Sequence, residues 1–195
     1  MSNKMKRMLS VDYQLNATKK YKLKITLKNT KDKGVGIFAT EQIYRDDIIA
    51  FYKLVVFDAD NYKSPTDNIY TFSVYNRNGT VNDDLIGDID DTSFHQPINN
   101  IPFWGPFVNE PSPKQSINAC FNPNLKYNYK LYRRRGIKRG DSLIYSIFAI
   151  RDISVGEEIN VYYGDGYERN YKVKVSDADR RLCDYKNQKT LKITI

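Results

Sequence analysis

Three groups of residues in this chain could do chemistry, and their spacing decides which chemistry. The first is a glycine cluster, Gly34-Val35-Gly36-Ile37-Phe38-Ala39, which fits the pattern G-x-G-x-x-A. Glycines so spaced let a backbone approach a ligand closely, and in a strand–turn–helix unit they cradle a dinucleotide pyrophosphate. That context is missing here. Five polar residues, 29–33, separate the glycines from the preceding alternating segment, and no helical stripe follows Ala39. The chain also lacks the strand–helix alternation of dinucleotide-binding folds. The second group is metal ligands and nucleophiles, and these are scarce: one histidine, His95, and two cysteines, Cys120 and Cys183. A four-ligand zinc site asks for more, so no metal ligands are expected. A Ser-His-Asp or Cys-His hydrolase would rest on His95 alone. The third group is aromatic. Sixteen tyrosines and nine phenylalanines supply phenol hydroxyls and apolar walls, although most such rings serve a core or a strand surface.

These groups must be positioned by short strands. With 195 residues, 41% apolar and 28% charged, the chain has the size and composition of one domain with a real core. No run approaches the roughly 18 apolar residues of a membrane span. Residues 1–10 are basic and polar, without the apolar stretch of a secretory signal. Two cysteines cannot make a disulfide framework, so they are expected to be buried or incidental thiols in a reducing, intracellular compartment. Residues 21–28 alternate apolar and polar, as a half-buried strand does. Residues 48–52, 54–57 and 69–75 read as further strands, and residues 82–102 as loop with one short strand near 86–90. Residues 125–131 and 143–147 alternate again, with a basic hairpin tip at 133–140 between them. The only helix candidate is short, about residues 103–108. A mainly β domain over residues 20–168 is expected, with a basic tail at 1–19 and a C-terminal extension at 169–195.

Charge is uneven about a net +8. Residues 1–33 carry ten Lys and Arg against two Asp, and residues 126–140 carry seven against none. Residues 83–91 hold only acidic charge, on Asp83, Asp84, Asp88, Asp90 and Asp91. Basic stretches allow a nucleic-acid contact, while most charge runs are solvated faces.

Beyond the glycines, a series of segments in one order resembles the SET domain family of protein lysine methyltransferases. Lys33-Gly-Val-Gly-Ile-Phe-Ala39 with Glu41-Gln-Ile43 and Asp47-Ile-Ile49 resembles its opening motif. Tyr70-Thr-Phe72 and Ile89-Asp90 resemble two of its strands. Trp104-Gly-Pro-Phe-Val-Asn109 resembles the segment ending in asparagine-histidine, with Glu110 where the histidine stands. Ser146-Ile-Phe-Ala149-Ile-Arg-Asp-Ile153 and Gly156-Glu-Glu-Ile159-Asn-Val-Tyr-Tyr163-Gly164 resemble the last two motifs. Tyr162 replaces a usual acidic residue. The family's second asparagine falls on Asn118 or on Asn124, with Asn118 favoured because Asn109-Glu-Pro followed by Asn-Ala recurs in a branch of the family.

The resemblance implies several small β-sheets around a C-terminal pseudoknot. It implies transfer of a methyl group from S-adenosylmethionine to a lysine side chain. The implied partner is a protein with a lysine-containing basic segment, first of all a histone tail, in the nucleus. It puts the catalytic hydroxyl on Tyr163, with Tyr70 as a second channel tyrosine. The cofactor falls to the backbone of Val35, Gly36 and Ile37, to Asn109, and to the main chain at Glu110. The degree of methylation falls to Val161, two places before the tyrosine, or to Phe121, three places after Asn118, or to Tyr127 if Asn124 is the motif asparagine. A phenylalanine there implies di- or trimethyl product. Family members often carry zinc clusters beside the domain. This chain has none, so the C-terminal extension is left to complete the lysine channel, with Tyr167, Tyr171 and Tyr185 as its candidate aromatics.

Overall fold

A computed structural model of the protein describes residues 16, 17, 20–60, 62, 63, 71–90, 96–123, 125–167 and 169–184. The first sheet is a hairpin of β1 (Ile25–Asn29) and β2 (Val35–Ala39), paired antiparallel from Ile25↔Ala39 to Asn29↔Val35. The alternation in residues 21–28 does what it predicts, since Leu23, Ile25 and Leu27 are all buried. The turn closes at Gly34, whose φ of +74° is a left-handed conformation that costs glycine little.

The second sheet has the order β4-β5-β3-β7-β6, all antiparallel. Its strands are β3 (Ile48–Asp58), β4 (Thr71–Tyr75), β5 (Val81–Ile89), β6 (Ala119–Asn122) and β7 (Ser142–Ala149). The central β3 is covered on both faces, which is why its apolar run scarcely alternates: Ile49, Ala50, Phe51, Tyr52, Leu54 and Val56 are all buried. Each of its larger apolar side chains contributes about 1.5–3 kcal/mol of burial.

The chain then returns through its own loops. Ala39 N–H donates to the Glu157 carbonyl at 3.0 Å and Ile159 N–H to that of Ile37 at 2.8 Å. On the opposite side Val161 N–H donates to the Asn109 carbonyl, and Asn118 and Ala119 N–H both donate to that of Asn160. Residues 157–161 are thus held between β2 and the 109–118 segment, the crossing that a C-terminal pseudoknot requires.

The structure corrects four local expectations. Residues 125–131 are not a strand with a basic hairpin tip after it. They lie in helix α1 (Leu125–Arg134). Its buried face includes Asn128 and Tyr132, a helical spacing hidden because one inward position is polar. Asn128 is there to bond the sheet edge: its amide donates to the Ile144 carbonyl and accepts from Ile144 N–H. The acidic stretch is mostly strand β5, since Asp88 turns inward and accepts a hydrogen bond from the Tyr62 hydroxyl. The short helix candidate is one 3-10 turn, Gly105–Phe107. The cysteines are not free thiols: Cys120 in β6 and Cys183 at the end of α2 (Asp177–Cys183) form a disulfide. A pair 63 residues apart gives no spacing signal, and only the fold brings the two Cα atoms to 5.2 Å.

Candidate active site

The 157–161 segment runs straight into a cavity of about 400 Å³. Its walls are aromatic: Tyr52 from β3, Phe72 from β4, Phe121 from β6, Tyr145 from β7, and Tyr163 and Tyr167 beyond the closing segment. The rings touch in sequence. Phe121 lies 5.6 Å from Tyr52 and 6.4 Å from Tyr163, and Tyr163 meets Tyr167 edge-on at 4.9 Å. Asp165, Arg180 and Asp184 add charge to the lining.

Tyr163 is fixed at both ends. Its backbone N–H donates to Glu110 Oε1 at 2.8 Å and its hydroxyl donates to the Val108 carbonyl at 2.6 Å. A phenol that gives its proton to a carbonyl keeps its oxygen as an acceptor, which is the polarity that suits an amine.

A polar cluster sits on the other side of the closing segment, against the glycines. Lys33 Nζ donates to the Glu110 carbonyl, Gln115 Oε1, Glu158 Oε2 and Asn160 Oδ1, at 2.8–3.1 Å. Asn109 Nδ2 donates to the Val35 carbonyl at 3.2 Å and to Glu158 Oε1 at 3.1 Å. Gly36 is what allows this closeness. A Cβ there would stand 2.8 Å from Glu158 Oε1 and 2.9 Å from Asn109 Nδ2.

Beyond Tyr163 the chain folds back over the cavity. Arg169 pairs with Glu110 through Nε and Nη2, both at 3.1 Å, and also donates to the Gly164 carbonyl. Burial opposes the charge on Arg169, but the Glu110 carboxylate outweighs it and raises its pKa. The Tyr171 ring is 47% exposed, but desolvation of its hydroxyl and the bond to Glu110 raise the phenol's pKa. The Tyr162 ring has two guanidinium groups near it, Arg169 at 5.2 Å and Arg180 at 4.9 Å. Its hydroxyl donates to Asp165, and that bond, with the Arg180 pair, holds the Asp165 carboxyl below its usual range.

The site residues singled out in the sequence therefore fall into groups. Val35, Gly36, Ile37, Asn109 and Glu110 gather along the closing segment. Phe121, Tyr163 and Tyr167 share the cavity. Val161 is fully buried in the core and is not part of the cavity wall. Tyr127 packs edge-on against Phe51 at 5.1 Å and does not line the cavity either. Tyr70, Asn124 and Tyr185 lie outside the described residues, as does His95. Asn118 is fully buried and bonds the closing segment, giving to the Glu158 carbonyl at 2.8 Å and accepting from Asn160 N–H at 2.8 Å. Sequence reasoning missed Tyr52, Tyr145 and Arg169, which carry no motif. It quoted Lys33 and Glu158 inside motifs but gave them no role.

The sequence profile of the SET domain matches residues 34–164. No curated protein matches the chain. Among solved structures, the chain is similar to ATXR5 bound to histone H3.1 mono-methylated on R26, at 17% identity over 89% of this chain and 71% of that one, with a TM-score of 0.45. The methyltransferase domain of human PR domain-containing protein 2 is 20% identical over 76% of this chain and 82% of its own, with a TM-score of 0.39. A chain of the Chaetomium thermophilum polycomb repressive complex 2 is 19% identical over 78% of this chain, with a TM-score of 0.42, and only 16% of that chain is covered.

Proposed function

The chain belongs to the SET domain family, and we propose on that footing that it is a protein-lysine N-methyltransferase that uses S-adenosylmethionine. The observation that carries the reading is the convergence of Tyr163, Phe121 and Tyr167 on one aromatic cavity at the end of the closing segment. The residues present fit the cofactor. Beside the glycines, Glu158, Gln115, Asn160 and the Glu110 carbonyl gather oxygens that hold the Lys33 ammonium in this structure, and the ammonium at the cofactor's amino acid end would meet the same polar cluster. In this reading Val35, Gly36 and Ile37 face the cofactor with their backbone, Asn109 with its amide, and Glu110 with its main chain.

When bound, S-adenosylmethionine supplies a sulfonium methyl group open to in-line displacement. The chain's own residues prepare the nucleophile. A free lysine, with a pKa of about 10.4, is mostly protonated at neutral pH and has no lone pair to give. Desolvation between Phe121, Tyr163 and Tyr167 favours the neutral amine. The Tyr163 oxygen, held by Val108, orients that amine as an acceptor, and the walls confine it. Tyr70 is the second channel tyrosine of this reading. The lining carries Asp165, Arg180 and Asp184; with Asp165 paired to Arg180 it keeps a small acidic excess, which suits a basic peptide such as a histone tail, and hence a nuclear role. Phe121, rather than the core residue Val161, sets the space at the amine. A ring without a hydroxyl allows repeated methylation, so di- or trimethyl-lysine is the expected product.

The test is transfer of labelled methyl from S-adenosylmethionine to mixed histones, with the product read by mass spectrometry. Wild type should reach di- or trimethyl-lysine at long times, and Phe121→Tyr should shift the product towards monomethyl. Salt-sensitive DNA binding with no transfer would instead mark a silent module acting through residues 133–139. Two arginines in that stretch are already engaged, Arg135 by Asp141 and Arg139 by Asp58, which weighs against that use.

A further inference from the structure

Glu110 stands where the family pattern has histidine, and its side chain is engaged away from the glycines. The carboxylate is almost wholly buried, with 2% of its side chain exposed. It takes four hydrogen bonds from three parts of the chain. Oε1 accepts from Tyr163 N–H and from Arg169 Nη2, and Oε2 accepts from Arg169 Nε and from the Tyr171 hydroxyl. A side-on carboxylate–guanidinium pair fixes the planes of both groups. Arg169 passes that constraint on, because its guanidinium lies 5.2 Å from the Tyr167 ring and Tyr167 packs edge-on against Tyr163.

We infer that the Glu110 side chain is a positioning residue: paired with Arg169, it sets the Tyr163 backbone and seats Tyr167, closing the channel with the C-terminal segment. The inference rests on the functional reading above, and it gives the side chain a duty separate from any cofactor contact of the Glu110 main chain. Its physical basis is the cost of the alternatives. Without a carboxylate the guanidinium of Arg169, itself only 16% exposed, loses its ionic partner in a dry setting. The Tyr163 N–H loses its acceptor. The two aromatic walls then keep their identity but lose their fixed spacing, and a misplaced hydroxyl slows transfer without a change in what the cavity is made of.

The experiment compares wild type with Glu110→Gln, which keeps shape and removes charge, and with Arg169→Lys, which reads the same pair from its less buried side if the first variant folds poorly. Four quantities are measured: the S-adenosylmethionine Kd, kcat, the ratio of mono- to di- and trimethyl product, and the rate of tryptic cleavage at Lys172. The expected result is a Kd within about threefold of wild type and a kcat at least ~10-fold lower. The product ratio should change, and cleavage at Lys172 should be faster. A purely structural role would lower the melting temperature and leave the product ratio and the kcat of the folded fraction alone; that result overturns the inference while leaving the functional reading in place. A wild type that binds the cofactor and transfers no methyl to any lysine overturns the functional reading, and the positioning role with it. Unchanged cleavage at Lys172 in both variants overturns the clasp itself.

Discussion

Two adjoining stretches of chain close the site by different means. Residues 157–161 are held through backbone groups, to β2 on one side and to residues 109 and 118 on the other. Their apolar members, Ile159 and Val161, are fully buried. Among the described residues, 164–184 are held to the rest of the chain chiefly through side chains: Arg169 and Tyr171 on Glu110, and Cys183 on Cys120 with Val175 beside it; Asp165 pairs with Arg180 within the stretch. Helix α2 buries none of its residues fully, so it has little packing to fall back on. The first stretch delivers the chain to Tyr163, whose N–H Glu110 then holds, and it cannot be loosened without disturbing the fold. The second supplies part of the cavity wall and can be loosened one contact at a time. A cavity built this way sets Tyr163 at the end of a backbone-held segment beside a wall of lower local stability.

The largest stability effect tests the second stretch. The Cys120–Cys183 bridge closes a loop of 63 residues, for which loop-closure entropy gives about 4 kcal/mol. Cys183→Ser should lower the melting temperature by roughly 10 °C, and a reductant should do the same to wild type and nothing further to the variant. The loss should come with exposure of residues 164–184 to protease while the two sheets stay intact. If reductant leaves the melting curve unchanged, the bridge does not hold this segment in solution. A smaller effect is expected in the first stretch. Asn118→Ala leaves buried partners of the closing segment unpaired, at a cost of about 1–3 kcal/mol, and unfolding should remain a single transition. A separate early transition in that variant would mean the closing segment is as detachable as α2.

The smallest effect is one of pH. Burial pushes the Glu157 carboxyl up, but bonds from Arg151, from Asn118 and from Ser154 N–H outweigh it, so its pKa lies below the usual range. Asp165 is likewise lowered by Tyr162 and Arg180. A carboxylate lowered on folding adds stability that is complete above its unfolded pKa of about 4 and is lost as pH falls through its folded value. The melting temperature should therefore hold from neutral pH to about 5 and decline below about 4. Glu157→Gln should flatten part of that decline, and a decline of unchanged size in the variant would assign it to other carboxylates.

What could be read in the sequence follows the same division. The glycine cluster, Asn109 and the closing motif lie in the stretches held by backbone, where each position demands a residue type, so the family is legible, and so is the place of Tyr163 at the end of the closing motif. A local pattern favours Asn118 over Asn124; Asn118 bonds the closing segment, while Asn124 lies outside the described residues. The second stretch has no such grammar. Arg169 meets Glu110 across 59 positions and Cys183 meets Cys120 across 63, and pairs so distant mark nothing locally. Helix α1 was misread because Asn128 faces inward for the sake of β7. A tertiary hydrogen bond there replaced the apolar residue that a periodicity argument looks for.

The most direct measurement is methyl transfer by Tyr163→Phe beside wild type, with cofactor binding followed on the same samples. The substitution removes one hydroxyl, the one held by the Val108 carbonyl at 2.6 Å, and keeps the ring that packs on Phe121 and Tyr167. The expected result is an S-adenosylmethionine Kd close to that of wild type with kcat lowered by on the order of 100-fold. Turnover within a factor of about two of wild type would contradict it and move the reacting centre away from Tyr163.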